Sequence, residues 1–131
     1  MKTRKPTRNG FTLVEIMIVV AIIALLSAIA VPGFMRARKR SQATRILNDL
    51  RHIDSAVDQY ALENNRIAGF TVPVADWTRY LKPGTPLAET GSDILGHTFG
   101  PVNVDSLPAV PVASKTTLSD IVDDAFWSPF N

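Results

Sequence analysis

Glu15 is the one ionisable side chain in an apolar run from Phe11 to Phe34, and its chemistry is that of an acid in need of a cation. A charge left unpaired deep in a bilayer costs about 2.5–3.5 kcal/mol on insertion scales, so such a residue marks a site with a partner. Its neighbours, Gly10-Phe11-Thr12-Leu13-Val14-Glu15, set a glycine, an aromatic and the acid at short, fixed spacing. Other residues able to do chemistry are few. His52 and His97 have no paired acid or second histidine at ligand spacing in the sequence, and no glycine-rich phosphate loop is present. The absence of cysteine excludes a disulfide framework, thiolate zinc sites, a catalytic thiol and a lipidated cysteine. Asp105, Asp120, Asp123 and Asp124 are candidate calcium ligands in the distal region, but they lack the oxygen-ligand spacing of a recognisable calcium loop. No other cofactor is indicated.

The element that carries Glu15 must cross or lie in an apolar medium. Phe11 to Gly33 is about 34 Å long as a helix, enough to span a bilayer. It exceeds the 7–15 apolar residues of an ordinary signal core, although Ala28-Ile29-Ala30 offers a conventional cleavage site and leaves a secreted domain as an alternative. Lys2, Arg4, Lys5 and Arg8 precede the run and favour a cytoplasmic N-terminus. The collar Arg36, Arg38, Lys39, Arg40 and Arg45 behind it blurs that count. Pro32-Gly33 predicts a kink or a melted stretch, because proline removes a backbone donor and clashes with the turn before it.

Beyond the kink, Ala43, Ile46, Leu47, Leu50, Ile53, Val57, Tyr60 and Ala61 recur at steps of three and four, the pattern of an amphipathic helix that ends at Asn64-Asn65. Joined through Pro32, Phe11 to Asn65 makes a rod of about 82 Å. Asp49, Asp54, Asp58 and Glu63 fall on its polar face, with solvation as the default reading. The distal part reads as loop-rich and β-containing. Phe70, Val72 and Val74 alternate as an edge strand interrupted by Pro73, and Thr98 to Val104 is the best strand, broken at Gly100-Pro101. A helical turn is expected from Asp76 to Leu81, capped by Asp76. A second is expected behind a capping box at Thr117-Leu118-Ser119-Asp120. The terminal Phe126-Trp127-Ser128-Pro129-Phe130 is expected to fold back onto the core.

Taken together, Gly10, Phe11 and Glu15 behind a basic leader and ahead of an apolar helix resemble the class III signal of type IV pilins and type II secretion pseudopilins. The resemblance covers about residues 1–65. It implies a pilin-like α+β fold: leader 1–10, transmembrane and assembly helix 11–34, amphipathic helix 35–65, and a small loop-rich β region 66–131. It also implies cleavage between Gly10 and Phe11 by a membrane-embedded prepilin peptidase and N-methylation of Phe11. Glu15 would then be neutralised by the new Phe11 amine, either of a neighbouring subunit or of its own chain four residues away. Copies of the chain, an inner-membrane assembly platform and the inner membrane itself are the implied partners, with a cytoplasmic N-terminus and a periplasmic filament. The family is structural, not enzymatic.

Leu50-Arg51-His52-Ile53-Asp54 and Gln59 to Asn65 look like pseudopilins of type II secretion. A compact region without a disulfide points the same way, since many surface pilins carry larger, disulfide-closed lobes. A surface fibre for motility, adhesion or DNA uptake is the runner-up, and a non-polymerising single-pass protein is a third reading. The acidic distal half offers no basic, aromatic groove for nucleic acid.

Overall fold

The computed structural model describes residues 9–131, so the leader cations Lys2, Arg4, Lys5 and Arg8 lie outside the described residues. It divides into a unit that ends at Met35 and a unit Arg36–Asn131. The principal element is helix α1, Leu13–Glu63. In its first unit the side chains from Phe11 to Met35 are exposed. An 18-residue window of α1 is apolar enough to cross a membrane, and none of that window is buried. Pro32 lies inside α1, where its missing N–H leaves the Ala28 carbonyl without the usual intrahelical donor. The chain is nevertheless helical at Pro32 and Gly33, so the melted alternative does not hold for the single chain.

The second unit is built on the stripe that the three-four spacing predicts. Ala43, Ile46 and Leu50 of α1 are buried against Val110, Leu118, Val122, Trp127 and Phe130. One to three turns further on, Ile53, Val57 and Ala61 are buried against Val72, Trp77, Leu87, Val102 and Val104. Each large aliphatic buried this way contributes about 1.5–3 kcal/mol. Ala56 joins the buried face although its small side chain did not mark it in the pattern. The helix stops at Asn65, whose φ of 48° is left-handed. The Arg66 N–H then bonds the Ala61 carbonyl at 2.9 Å, the long bond that closes a Schellman cap.

Distal to α1 the class is α+β, but with little β structure. Strand β1, Thr71–Val72, pairs antiparallel with β2, Val102–Asn103, in the register Thr71↔Asn103. Proline limits both strands, because Pro73 follows β1 and Pro101 precedes β2. Val74 therefore does not extend the strand. It begins helix α2, Val74–Trp77, followed by a 3-10 turn Thr78–Tyr80. Asp76 sits inside that helix and does not cap it; the cap position belongs to Pro73, with no side-chain cap bond. Thr98 contributes only an isolated bridge to Ser92.

Two further helices went unread in the sequence. Helix α3, Pro86–Thr90, starts with Thr85, whose hydroxyl accepts the Ala88 N–H at 3.3 Å, and has proline in its first turn. Helix α4, Val112–Leu118, overturns the capping box proposed at Thr117. That threonine lies in the last turn of α4, and its hydroxyl donates back to the Ala113 carbonyl at 2.8 Å, a use that competes with capping. The C-terminal aromatics do fold back. Trp127 and Phe130 are buried, and the Val110 N–H bonds the Phe130 carbonyl at 3.1 Å.

Gly91 ends α3 in the left-handed region at φ 63°. A Cβ there would lie 2.3 Å from Val74 Cγ1 and 3.5 Å from the Trp77 ring. Left-handed strain and overpacking each cost about 1–3 kcal/mol. Gly91→Ala is therefore expected to destabilise the second unit by about 2–4 kcal/mol, read as a lowered midpoint in chemical denaturation of the detergent-solubilised chain. A shift under about 0.5 kcal/mol would contradict the packing described.

Candidate functional site

Helix α1 begins with a reciprocal cap, and Glu15 is half of it. The Thr12 backbone N–H donates to Glu15 Oε2 at 2.7 Å, and the Thr12 hydroxyl donates to the same oxygen at 2.9 Å. In return the Glu15 N–H donates to Thr12 Oγ1 at 3.2 Å. This is a Thr-x-x-Glu capping box, with Thr12 outside the helix and Glu15 as its third residue. The similar pattern at Thr117 caps no helix, whereas the one at Thr12 opens α1. Glu15 is thus hydrogen-bonded locally while its charge is left without a cation among the described residues.

Gly10 and Phe11 precede the cap. A Cβ at Gly10 would meet nothing within 4 Å, and Gly10 is not among the glycines of positive φ. Among the described residues neither packing nor backbone conformation asks for glycine there. Phe11 is 85% exposed, so the Gly10-Phe11 peptide is open to another protein. Gly33 likewise has open space and no positive φ.

Further along α1 the charged side chains are used unevenly. Lys39 donates to Asp120 Oδ2 at 2.6 Å, and this bond holds the Asp120 carboxyl below its ordinary range. A group with a depressed folded pKa contributes stability above its unfolded value, and that stability fades as pH falls through the folded value. Lys39→Met is therefore expected to flatten the acid limb of a stability–pH profile below about pH 4, with little change near neutrality. An unchanged acid limb would show the pair to be idle.

The acids on α1 are not all solvated. Asp49 is half-buried, and burial raises its pKa against the opposing charges of Arg45 and His52. Glu63 accepts the Tyr80 hydroxyl at 2.7 Å and the Gln59 amide at 3.2 Å. Asp54 is partly buried, with its pKa raised by that burial and by Asp58. Asp58 and Glu63 are the two exposed members of the four.

His97 has an acid partner after all. Its Nδ1 lies 2.8 Å from Ser114 Oγ and 3.9 Å from Asp93 Oδ2, and Ser114 donates to Asp93. Asp93 Oδ1 also accepts the Leu95 and His97 N–H groups at 2.8 and 2.9 Å. The serine stands between acid and imidazole and is fully buried, so no substrate reaches its hydroxyl. The cluster ties the 91–98 loop to α4. Sequence separation hid it: Ser114 is 17 residues from His97.

The candidate calcium ligands do not converge. Asp120 is held by Lys39, Asp123 accepts the Phe126 N–H at 3.0 Å, and Asp124 lies 3.7 Å from Lys115. Among the described residues no three His, Cys, Asp or Glu side chains gather for a metal.

Comparison with known proteins bears on the same segment. The family described as the prokaryotic N-terminal methylation motif matches residues 5–31, which contain Gly10, Phe11 and Glu15. The chain is 35% identical over 63 residues to the type II secretion system core protein G of Klebsiella michiganensis, covering 48% of this chain and 44% of that one. The likeness to pilins and pseudopilins lies in this N-terminal part of the chain. The chain is also 40% identical over 66 residues to a fimbrial protein of Pseudomonas aeruginosa, covering 50% and 43% of the two chains. With the type IV major pilin protein PilA of Myxococcus xanthus it shares 40% over 65 residues, or 50% and 30%. It therefore spans less than half the length of these curated relatives. No solved structure matches it.

Proposed function

We propose that this chain is the structural subunit of a pilus-like filament, cut between Gly10 and Phe11 by a prepilin peptidase and methylated on Phe11. The observation that carries the reading is the placement of Glu15: one carboxylate at the start of an otherwise uncharged, exposed apolar stretch of α1, behind a glycine that the described residues do not require. Before the cut, the Phe11 nitrogen is an amide and offers Glu15 no charge. Cleavage makes it an amine, basic near neutral pH. In low dielectric an amine–carboxylate pair fixes register more than it adds net stability, because desolvation offsets much of the attraction. Repeated from subunit to subunit, that pair sets the axial step of a helical array.

The apolar part of α1 anchors the subunit in the inner membrane as a single span with a cytoplasmic N-terminus, and the filament grows into the periplasm from an assembly platform. Pro32 and Gly33 are the place where α1 bends or loses helix on assembly. Nucleic acid is not among the partners.

The filament assigned is the pseudopilus of type II protein secretion. Relatives named type II secretion system core protein G from Klebsiella michiganensis, Aeromonas hydrophila and Pectobacterium carotovorum support it, at 33–37% identity. So does a second unit closed by buried Trp127 and Phe130. The 40% identity to the fimbrial protein and PilA favours a surface pilus as the second reading. Immunogold labelling and shearing of intact cells separate the two. A pseudopilus subunit stays with the cells, and deleting it stops export of secreted proteins. Recovery in the sheared fraction with export intact would establish the surface pilus.

A further inference from the structure

The basic collar behind the apolar run is left without a use by the function proposed above. Between Phe34 and Asp49 there is no acid, and Arg36, Arg38, Lys39, Arg40 and Arg45 all fall in that stretch. Lys39 is occupied by Asp120. Arg36, Arg38 and Arg40 are exposed, and among the described residues none of them is within ion-pair distance of an acid. Arg40 lines a hollow that also holds Asp120 and Asp123. Three guanidinium groups on the far side of the span work against a cytoplasmic N-terminus. Their gain must come from what they meet at that surface.

Their depth selects the partner. At about 1.5 Å per residue, Arg36 to Arg40 lie about 3–9 Å beyond Phe34 along the helix. The polar headgroup layer extends about 5–7 Å on each side of the hydrocarbon core, and arginine side chains bend several ångströms to reach it. Arg45, about 17 Å beyond Phe34, lies past it. Successive helix positions turn by about 100°, so Arg36 and Arg40 share one side and Arg38 the other. A planar guanidinium grips a phosphate with two parallel N–H donors, whereas a choline headgroup adds a cation that opposes it.

We propose that Arg36, Arg38 and Arg40 form an anionic-lipid clamp, holding the unassembled subunit by the phosphates of anionic phospholipids in the leaflet at the C-terminal end of the span. The clamp rests on the membrane-spanning reading of the segment from Phe11 to Phe34. It retains the subunit until assembly and is released when the subunit leaves the bilayer.

The test uses the full chain in a neutral detergent, titrated with phosphatidylglycerol or phosphatidylcholine and read by native mass spectrometry, beside the variant R36Q/R38Q/R40Q. The leader cations are common to both proteins, so the difference between them isolates the collar. The wild type is expected to hold phosphatidylglycerol more tightly than phosphatidylcholine. The triple variant should weaken the phosphatidylglycerol by on the order of 100-fold, from about one surface-charge interaction per arginine. Equal retention of the two lipids, or no change in the variant, overturns the clamp. Displacement by millimolar inorganic phosphate alone overturns it in favour of a free-anion site. Salt-sensitive oligomers lost in the variant, without lipid selectivity, overturn it in favour of acids on a second copy. Protease protection in liposomes is measured in parallel: a wild type that fails to insert refutes the spanning reading, whereas an inserted wild type without lipid preference refutes the clamp alone.

Discussion

Glu15→Gln is expected to insert into the membrane, start its helix normally and fail to assemble. Glutamine replaces glutamate at the third position of a capping box, so its carbonyl keeps an acceptor for the Thr12 N–H. What disappears is the charge. After cleavage the Phe11 amine then has no counter-ion in a medium that penalises an unpaired cation heavily. Losing a charge-assisted hydrogen bond costs about 1.5–3 kcal/mol, or about 10–100-fold at each subunit addition. Because every addition repeats the step, filament yield should fall below detection while membrane levels stay near wild type.

Thr12→Val supplies the contrast. It removes the hydroxyl of the cap at a cost of about 1 kcal/mol but leaves the carboxylate, so filaments should still form. Thr12→Val that abolishes assembly, with Glu15→Gln normal, would reverse the roles given to cap and charge. Normal filaments from Glu15→Gln would remove pairing between subunits and leave Glu15 as a helix cap.

Trp127→Ala is expected to unfold much of the second unit. Its indole is buried among the residues that cover Ala43, Ile46 and Leu50 of α1, and its ring meets Phe126 edge-on at 5.2 Å. Truncating a buried tryptophan costs about 3–5 kcal/mol, against about 5–15 kcal/mol for the whole stability of a domain. A fall in Tm of about 12 °C or more should follow for the detergent-solubilised chain. Leu107 is half-exposed, and Leu107→Ala should stay within about 0.5 kcal/mol. A Trp127→Ala midpoint within 2 °C of wild type would mean that the C-terminal aromatics do not close the unit.

Long-range order was legible where one physical signal dominated. The apolar run and the three-four spacing from Ala43 to Ala61 marked α1 because burial on one face imposes that period. The Asn64-Asn65 stop was legible because asparagine tolerates the left-handed cap. The distal region was harder, since its elements are two to seven residues long and no period develops over so few. Val74 looked like strand by alternation, but Pro73 opens a helix there. The Thr-Pro start of α3 is a local signal, a capping hydroxyl followed by proline in the first turn.

The two capping boxes make the same point at the site. Thr117-x-x-Asp120 fits the pattern only loosely and is a helix end, while Thr12-x-x-Glu15 fits it and caps α1. The Asp93–Ser114–His97 cluster was not legible, because it depends on a contact between α4 and the 91–98 loop that local sequence does not encode.

Processing at Gly10 underlies the charge pairing proposed for Glu15, and it is tested most directly by the intact mass and N-terminal fragment ions of the protein recovered from membranes. The expected chain begins at Phe11 with one methyl group on its amine. A chain beginning at Met1, or at Val31 after a conventional cut behind Ala30, would contradict the assignment of this protein as a processed filament subunit.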